Sequence, residues 1–90
     1  METRIYKVVA QGESFKVSSK KQEGGQLSKC MIRLKDLNEY GDELLVVMLG
    51  NLAECRFAEG RLVAASLRFS THENNGQYYQ DIVANDIVAV

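Results

Sequence analysis

The sequence predicts an all-β fold, a five-stranded Greek-key barrel with one short helix between the third and fourth strands. Most of the seven glycines fall where runs of β-branched and aromatic residues stop, and the chain has no proline, so the glycines divide it into strands. Apolar and polar residues alternate through several of these runs, which is the period-two pattern of half-buried strands. At 90 residues, the length predicts one domain, residues 1–90.

The first predicted strand covers residues 3–19, TRIYKVVAQGESFKVSS, which are rich in β-branched and aromatic side chains. Gly12 interrupts the run as a bulge or sharp bend would. We interpret the segment either as one long bent strand or as two collinear strands. The next residues, KKQEGGQL at 20–27, are polar and contain glycines, so they predict a flexible loop.

The second and third predicted strands differ in the character of their two faces. In SKCMIRLKDL, which begins at Ser28, one face is apolar and the other is cationic with one methionine. After a loop at 36–43, the third strand, LLVVMLG at 44–50, is apolar on both faces. Such a strand either is central with both faces covered or packs against another chain, and both alternatives stay open. The apolar face of the second strand contains Cys30, Ile32 and Leu34, and the cationic face contains Lys29, Met31, Arg33 and Lys35.

A helix of about two turns is predicted at residues 51–57, NLAECRF, because Asn51 and Glu54 have the spacing of reciprocal caps. Leu52 and Cys55 are expected on its inner side. The turn AEGR leads into the fourth strand, RLVAASLRFSTHE at 61–73. Asn75-Gly76 is typical of a two-residue hairpin turn, from which QYYQDIVANDIVAV at 77–90 returns as the fifth strand.

Several classes of protein are excluded by what the sequence lacks. No apolar run approaches the ~20 residues that span a bilayer, and the N-terminus has no secretion signal, so we expect a cytoplasmic protein that keeps its first residues and does not bind membranes. Cys30 and Cys55 have no metal-ligand spacing, which predicts two reduced and mostly buried thiols. His72 is expected as a solvated loop residue. No catalytic constellation is present, so we expect no enzyme, no cofactor, no metal and no small-molecule substrate.

The net charge of −1 conceals a division of charge along the chain. Residues 1–35 carry a net charge of +5, whereas residues 36–90 carry −6. Segregation of this kind can create a basic face on a protein of ordinary isoelectric point, and a basic face is the electrostatic requirement for binding nucleic acid. Alternatively, folding interleaves the two halves and cancels the field.

The predicted order of strands and helix is that of the OB-fold, a small, partly open Greek-key barrel. From Gly50 onward, roughly half the chain resembles the bacterial single-stranded DNA-binding protein domain, in which an apolar strand leads into G-x-L-A-E, a helix, a K/E-G turn, a hairpin with an aromatic residue, and V-x-A-x-x-[IV]. The third strand lacks the tryptophan that this family often uses for stacking, and the family's acidic C-terminal tail is absent, so the resemblance implies a truncated or divergent member. The matching positions are Gly50, Leu52, Ala53, Glu54, Glu59, Gly60, Val63, Gly76, Tyr79, Ile82, Ala84 and Ile87.

The tyrosine pair that begins the last strand is expected to divide between the two sides of the sheet. Strict alternation from Ile82 places Tyr78 inside and Tyr79 outside. The resemblance aligns its inward aromatic nearer Tyr79, which requires a bulge. Both alternatives stay open, and we expect at least one of the two tyrosines to belong to the core.

The charge division and the resemblance together predict a non-enzymatic module that binds single-stranded nucleic acid, DNA rather than RNA, through cations and stacking aromatics. The resemblance also implies a homodimer or a higher oligomer. The alternative is an OB-fold assembly or protein-interaction subunit without strong nucleic-acid affinity of its own. The candidate binding residues are Phe15, Lys16, Lys20, Lys21, Lys29, Met31, Arg33, Lys35, Tyr78 and Tyr79.

Overall fold

The computed structural model describes residues 3–18, 25–38 and 40–90, and these residues form six strand segments and one short 3₁₀ helix. The predicted order of elements is confirmed, with the first predicted strand present as two segments. Their bounds are β1 (Thr3–Gln11), β2 (Phe15–Ser18), β3 (Gln26–Asp36), β4 (Glu43–Leu49), the 3₁₀ helix (Gly50–Glu54), β5 (Leu62–Asn74) and β6 (Gln77–Ala89). In these ranges no helix is long and apolar enough to cross a membrane.

The strands form one closed sheet in the order β1-β5-β6-β4-β3-β2, and an additional pairing of β1 with β3 closes the barrel. β1 and β2 pair one after the other along β3, so the alternative of two collinear strands is the one that the molecule adopts. The break falls at Gly12, whose amide donates to the Met31 carbonyl at 2.9 Å. All pairings are antiparallel except the short contact of β4 with β6.

The core fills the inside of the barrel with one face of each long strand. The predicted apolar face of β3 is confirmed, because Cys30, Ile32 and Leu34 are at most 1% exposed. Removing these side chains from water is the main favourable contribution to folding in a domain of this size. The other core residues are Tyr6, Val8, Val46, Met48, Ala53, Val63, Ala65, Ala84 and Ile87.

The third predicted strand, β4, is central, because it lies between β3 and β6. Val46 and Met48 face the core, and Val47 faces outward but is only 4% exposed. Its cross-strand neighbours on the outer side are Met31 and Val83. The sequence left open whether β4 has both faces covered within one chain or packs against another chain. At Val47, the first alternative holds. Leu45, two residues earlier on the same side, is 55% exposed.

The helix differs from its prediction in type, length and capping. It is a five-residue 3₁₀ helix without a side-chain cap, so the predicted Asn51–Glu54 capping arrangement is wrong. The Glu54 carboxylate instead accepts a hydrogen bond from the Ser28 hydroxyl at 2.5 Å. Leu52 packs against the core as predicted, whereas Cys55 is exposed and Ala53 takes the buried position. Both cysteines are free thiols, of which only Cys30 is buried.

The β5–β6 hairpin turns at Asn75 and Gly76, whose φ angles of 54° and 79° are those of the predicted two-residue turn. The expectation that one tyrosine of the pair joins the core is wrong, because Tyr78 is 73% and Tyr79 45% exposed. β5 pairs with β1 only as far as Ser66, so the end of the hairpin projects beyond the barrel strands that would cover it. The bulge lies near Asn85, far from the tyrosines.

Replacing Gly76 by alanine is expected to lower the free energy of unfolding by about 1 kcal/mol, because a Cβ disfavours the left-handed conformation at φ +79°. No atom lies within 4 Å of the added Cβ, so the cost comes from the backbone alone. Urea denaturation followed by circular dichroism measures it. Gly12→Ala is the matched control, because its Cβ would make only an ordinary contact of 3.5 Å with the Met31 carbonyl. Equal losses in both variants would contradict the assignment of the turn.

Candidate functional site

The outward sides of β3 and β4 form a face in which the cations of β3 lie beside an apolar strip of β4. Direct cross-strand pairs join Lys29 to Leu49, Met31 to Val47, Arg33 to Leu45 and Lys35 to Glu43. Four predicted site residues are therefore together on one surface. We call this surface the β3–β4 face and define it by Lys29, Met31, Arg33, Lys35, Glu43, Leu45, Val47 and Leu49.

Residues on neighbouring strands extend the β3–β4 face on both sides. On β2, Phe15 lies opposite Lys29 and is 49% exposed, so this predicted residue borders the face. Beyond β4, the register continues from Val47 to Val83 and on to Arg68 of β5. The sequence prediction missed Arg68 and Leu45. The signals that could have found them were the outward position of Arg68 in the alternation of β5 and the apolar second face of β4.

The cations of the β3–β4 face differ in whether they form an ion pair with a carboxylate. The Arg33 guanidinium donates to both Glu43 carboxylate oxygens, at 3.1 and 3.3 Å. The ammonium groups of Lys29 and Lys35 have no hydrogen bond or ion pair with any residue that the structure describes. Lys7 of β1 lies directly opposite Lys35, and like charges in that relation repel. Glu43 and Glu59 line the same depression as these two lysines, so its cations and carboxylates are equal in number.

Lys16 lies outside the β3–β4 face, although it was predicted as part of it. Its strand neighbour Phe15 faces outward, so Lys16 points to the other side of β2, opposite Ser28. There its ammonium donates to the Ser28 hydroxyl at 2.6 Å and lies 3.9 Å from the Glu54 carboxylate. These contacts join β2 to β3 and the 3₁₀ helix. Two other predicted cations, Lys20 and Lys21, fall outside the described residues.

The two tyrosines lie on opposite sides of the β5–β6 hairpin. Tyr79 is on the same side as Val83 and lies opposite His72, with ring centroids 5.8 Å apart and planes 27° from parallel. Its hydroxyl donates to the Gln77 side chain at 2.6 Å. Tyr78 lies opposite Glu73, on the other side. Of the pair, only Tyr79 belongs to the side of the sheet that bears the β3–β4 face.

This arrangement suits an extended polyanion with flat apolar groups. Uncompensated ammonium groups can contact phosphates, while the apolar strip and the rings of Phe15 and Tyr79 can contact bases. Among the described residues no cluster of three His, Cys, Asp or Glu side chains could hold a metal ion.

Comparisons with known proteins establish the fold. No protein-family model matches the sequence, and neither does any curated protein at a significant level. Among solved structures, the chain is similar to the second OB-fold domain of replication protein A from Methanococcus maripaludis, determined by solution NMR. The TM-score is 0.70 at 17% identity, over 98% of this chain and 81% of the other. The predicted five-stranded OB-fold is therefore confirmed, with its first strand broken at Gly12.

Proposed function

We propose that this chain is a non-enzymatic, single-domain module that binds single-stranded DNA without sequence specificity across the β3–β4 face. The observation that carries the proposal is the position of Lys29, Arg33 and Lys35 on β3, directly beside the apolar strip of β4. OB-folds commonly bind oligonucleotides on this pair of strands. The similar domain belongs to a replication protein, which supports a role in DNA replication.

Phosphates supply the main attraction in this proposal. Each cation that neutralises a phosphate releases condensed counterions from the nucleic acid, which makes binding dependent on salt. Lys7 lies directly opposite Lys35, so a phosphate at this margin of the face can contact both ammonium groups. Arg68 extends the cationic surface on the far side of Val83.

Bases supply the second contribution. Phe15 lies at one margin of the face, and the stacked pair of His72 and Tyr79 continues the same side of the sheet along the hairpin. Base stacking on an aromatic ring contributes roughly 1–3 kcal/mol per base and tolerates any sequence. Between these margins, Met31 and Leu45 present an apolar surface to the bases. Tyr78 has no part in this proposal, because it lies on the other side of the hairpin.

Fluorescence anisotropy with a labelled oligo-dT at two salt concentrations tests the proposal. We expect binding at low salt, with a logarithmic salt slope of about −0.7 for each phosphate contacted. A single-strand preference is tested by competition with a duplex of equal length, which should compete more weakly. Absence of binding at low salt would overturn the proposal.

Replacing Glu43 by glutamine is expected to tighten oligo-dT binding roughly two- to fivefold. The exposed ion pair between Glu43 and Arg33 contributes up to about 1 kcal/mol, which a phosphate must overcome to bind Arg33. The freed guanidinium then contacts a phosphate, so the salt slope should become steeper. Glu73→Gln removes the same charge from the Tyr78 side of the hairpin and is the matched control. If both variants tighten binding equally, net charge alone sets the affinity and Arg33 has no special part.

A second candidate function is that of an OB-fold assembly subunit, a homodimer or higher oligomer. It is favoured by an apolar row on the outer side of β1, β5 and β6, where Ile5, Ala64 and Val88 are direct cross-strand neighbours. Ile5 is 39% and Val88 51% exposed, so the row is available to a second copy. Light scattering tests this candidate, and a monomer at high protein concentration would contradict it.

A further inference from the structure

A groove of about 370 Å³ lies at the end of the barrel from which the β5–β6 hairpin projects. Its apolar lining consists of Tyr6, Leu44, Leu67, Phe69 and Ile82. Phe69 is 74% exposed although it lies within a strand. Phe69 lies opposite Ile82 of β6. Ile82, Gln80 and Tyr78 are alternate residues of β6 and share a face, so Tyr78 lies on the same side of the hairpin as Phe69. We call this surface the end groove.

Beside the end groove, one edge of β5 pairs with no strand that the structure describes. β5 pairs with β1 from Leu62 to Ser66, and beyond Ser66 its only ladder partner among the described residues is β6. No described strand therefore pairs with the backbone donors and acceptors that residues 67–74 present on the side away from β6. Such an edge is a template for an additional strand, and extended peptides bind sheet edges in this way. This edge therefore favours an extended peptide as the occupant of the end groove.

The charges around the end groove select a basic occupant. Asp36 and Asp42 line it, and neither is in an ion pair with a described residue. Glu73 lies opposite Tyr78 on the same side of the hairpin, which adds a third carboxylate. Arg4 also lines the groove, but it already has an interaction partner. Carboxylates that outnumber the cations disfavour a phosphate backbone here.

We propose that the end groove binds an extended basic peptide of a partner protein, which adds as a strand to the free edge of β5. An apolar side chain of the peptide contacts Phe69 and enters the groove. Lysine or arginine side chains two and four residues away share its face, since alternate residues of a strand do so. The one four residues along lies near Glu73, which is four residues from Phe69 in β5, and another can reach Asp42 in the lining of the groove. This function is separate from DNA binding, because Phe69 and Tyr78 lie on the opposite side of the hairpin from Tyr79.

A labelled extended peptide with a central phenylalanine, lysines two and four residues from it on either side, and threonine at the intervening positions is the probe, because its phenylalanine and lysines share one face. Fluorescence anisotropy with the full chain measures its binding. A peptide with glutamate in place of lysine should not bind. Phe69→Ala should weaken binding about tenfold or more, because truncation of a central aromatic residue commonly has effects of that size. Asp42→Asn combined with Glu73→Gln should weaken binding and reduce its salt dependence. Phe15→Ala, an exposed phenylalanine on β2, is the matched control for peptide binding.

Backbone N-methylation of the peptide tests strand addition directly. Methyl groups on the residues that face β5 should abolish binding, whereas methyl groups on the alternate residues should leave it intact. Oligo-dT binding by Phe69→Ala separates this proposal from the DNA-binding proposal, because it should remain unchanged. Failure of the basic peptide to bind, equal binding of the acidic peptide, or indifference to both sets of substitutions would each overturn the inference. Weaker oligo-dT binding by Phe69→Ala would also overturn it, since the groove would then serve nucleic acid.

Discussion

Replacing Lys29, Arg33 and Lys35 together by glutamate is expected to abolish oligo-dT binding. The three cations lie on one strand face, and the substitutions place three carboxylates there beside Glu43. Phosphates are then repelled where they were attracted, and the counterion release that drives association is lost. Anisotropy titration at low salt measures the loss, and circular dichroism shows whether the three substitutions leave the barrel folded.

A matched pair of single substitutions separates the site from net charge. Lys35→Glu and Arg61→Glu change the charge of the protein equally, but only Lys35 lies on the β3–β4 face. Arg61 precedes β5 and donates to the Val90 carbonyl at 3.3 Å. We expect Lys35→Glu to weaken binding and reduce the salt slope by about 0.7 or more, and Arg61→Glu to do neither. Similar losses in both variants would contradict the location of the site.

Replacing Ile32 by alanine is expected to lower the free energy of unfolding by about 2–5 kcal/mol, since it removes buried methyl groups and leaves a cavity. Ile32 is 1% exposed and lies in the centre of β3. A small domain has a total stability of roughly 5–15 kcal/mol, so the variant should be substantially destabilised at moderate temperature. Urea denaturation followed by circular dichroism is the measurement.

Ile5→Ala is the matched control for this substitution. Ile5 has the same side chain but is 39% exposed on the outside of β1, so its truncation should cost about 1 kcal/mol or less. Equal losses at the two positions would contradict the division of these strands into an inner and an outer face. A large loss at Ile5 alone would point instead to an oligomer in which the outer face is buried.

The parts of the fold that were predicted correctly depend on local sequence patterns. The alternation of Cys30, Ile32 and Leu34 with Lys29, Arg33 and Lys35 depends only on the pleat of one strand, so the sequence alone orients them. The Asn75-Gly76 turn is equally local, because it rests on the φ angles those two residues tolerate. The cationic half of the candidate site was therefore visible in the sequence.

Features that depend on distant pairing were not predictable in the same way. The coverage of Val47 comes from β3 and from a parallel pairing with β6, which no local pattern records. Lys16 points away from the site because neighbouring residues of a strand face opposite sides, and the pairing of β2 with β3 places Phe15 outward opposite Lys29. The exposure of both Tyr78 and Tyr79 follows from where β1 and β4 stop beside the hairpin. The sequence predicted that Glu54 caps the helix, but its carboxylate accepts a hydrogen bond from the hydroxyl of Ser28 on β3.

Mapping of backbone amide chemical shifts by NMR during titration with oligo-dT tests the central claim most directly. The proposal predicts that the largest shifts occur at Lys29–Lys35 and Glu43–Leu49, with smaller ones at Phe15, Arg68 and Tyr79. Shifts confined to the end groove or to the outer row of Ile5, Ala64 and Val88 would contradict the β3–β4 face as the binding site. Absence of any shift at low salt would contradict nucleic-acid binding itself.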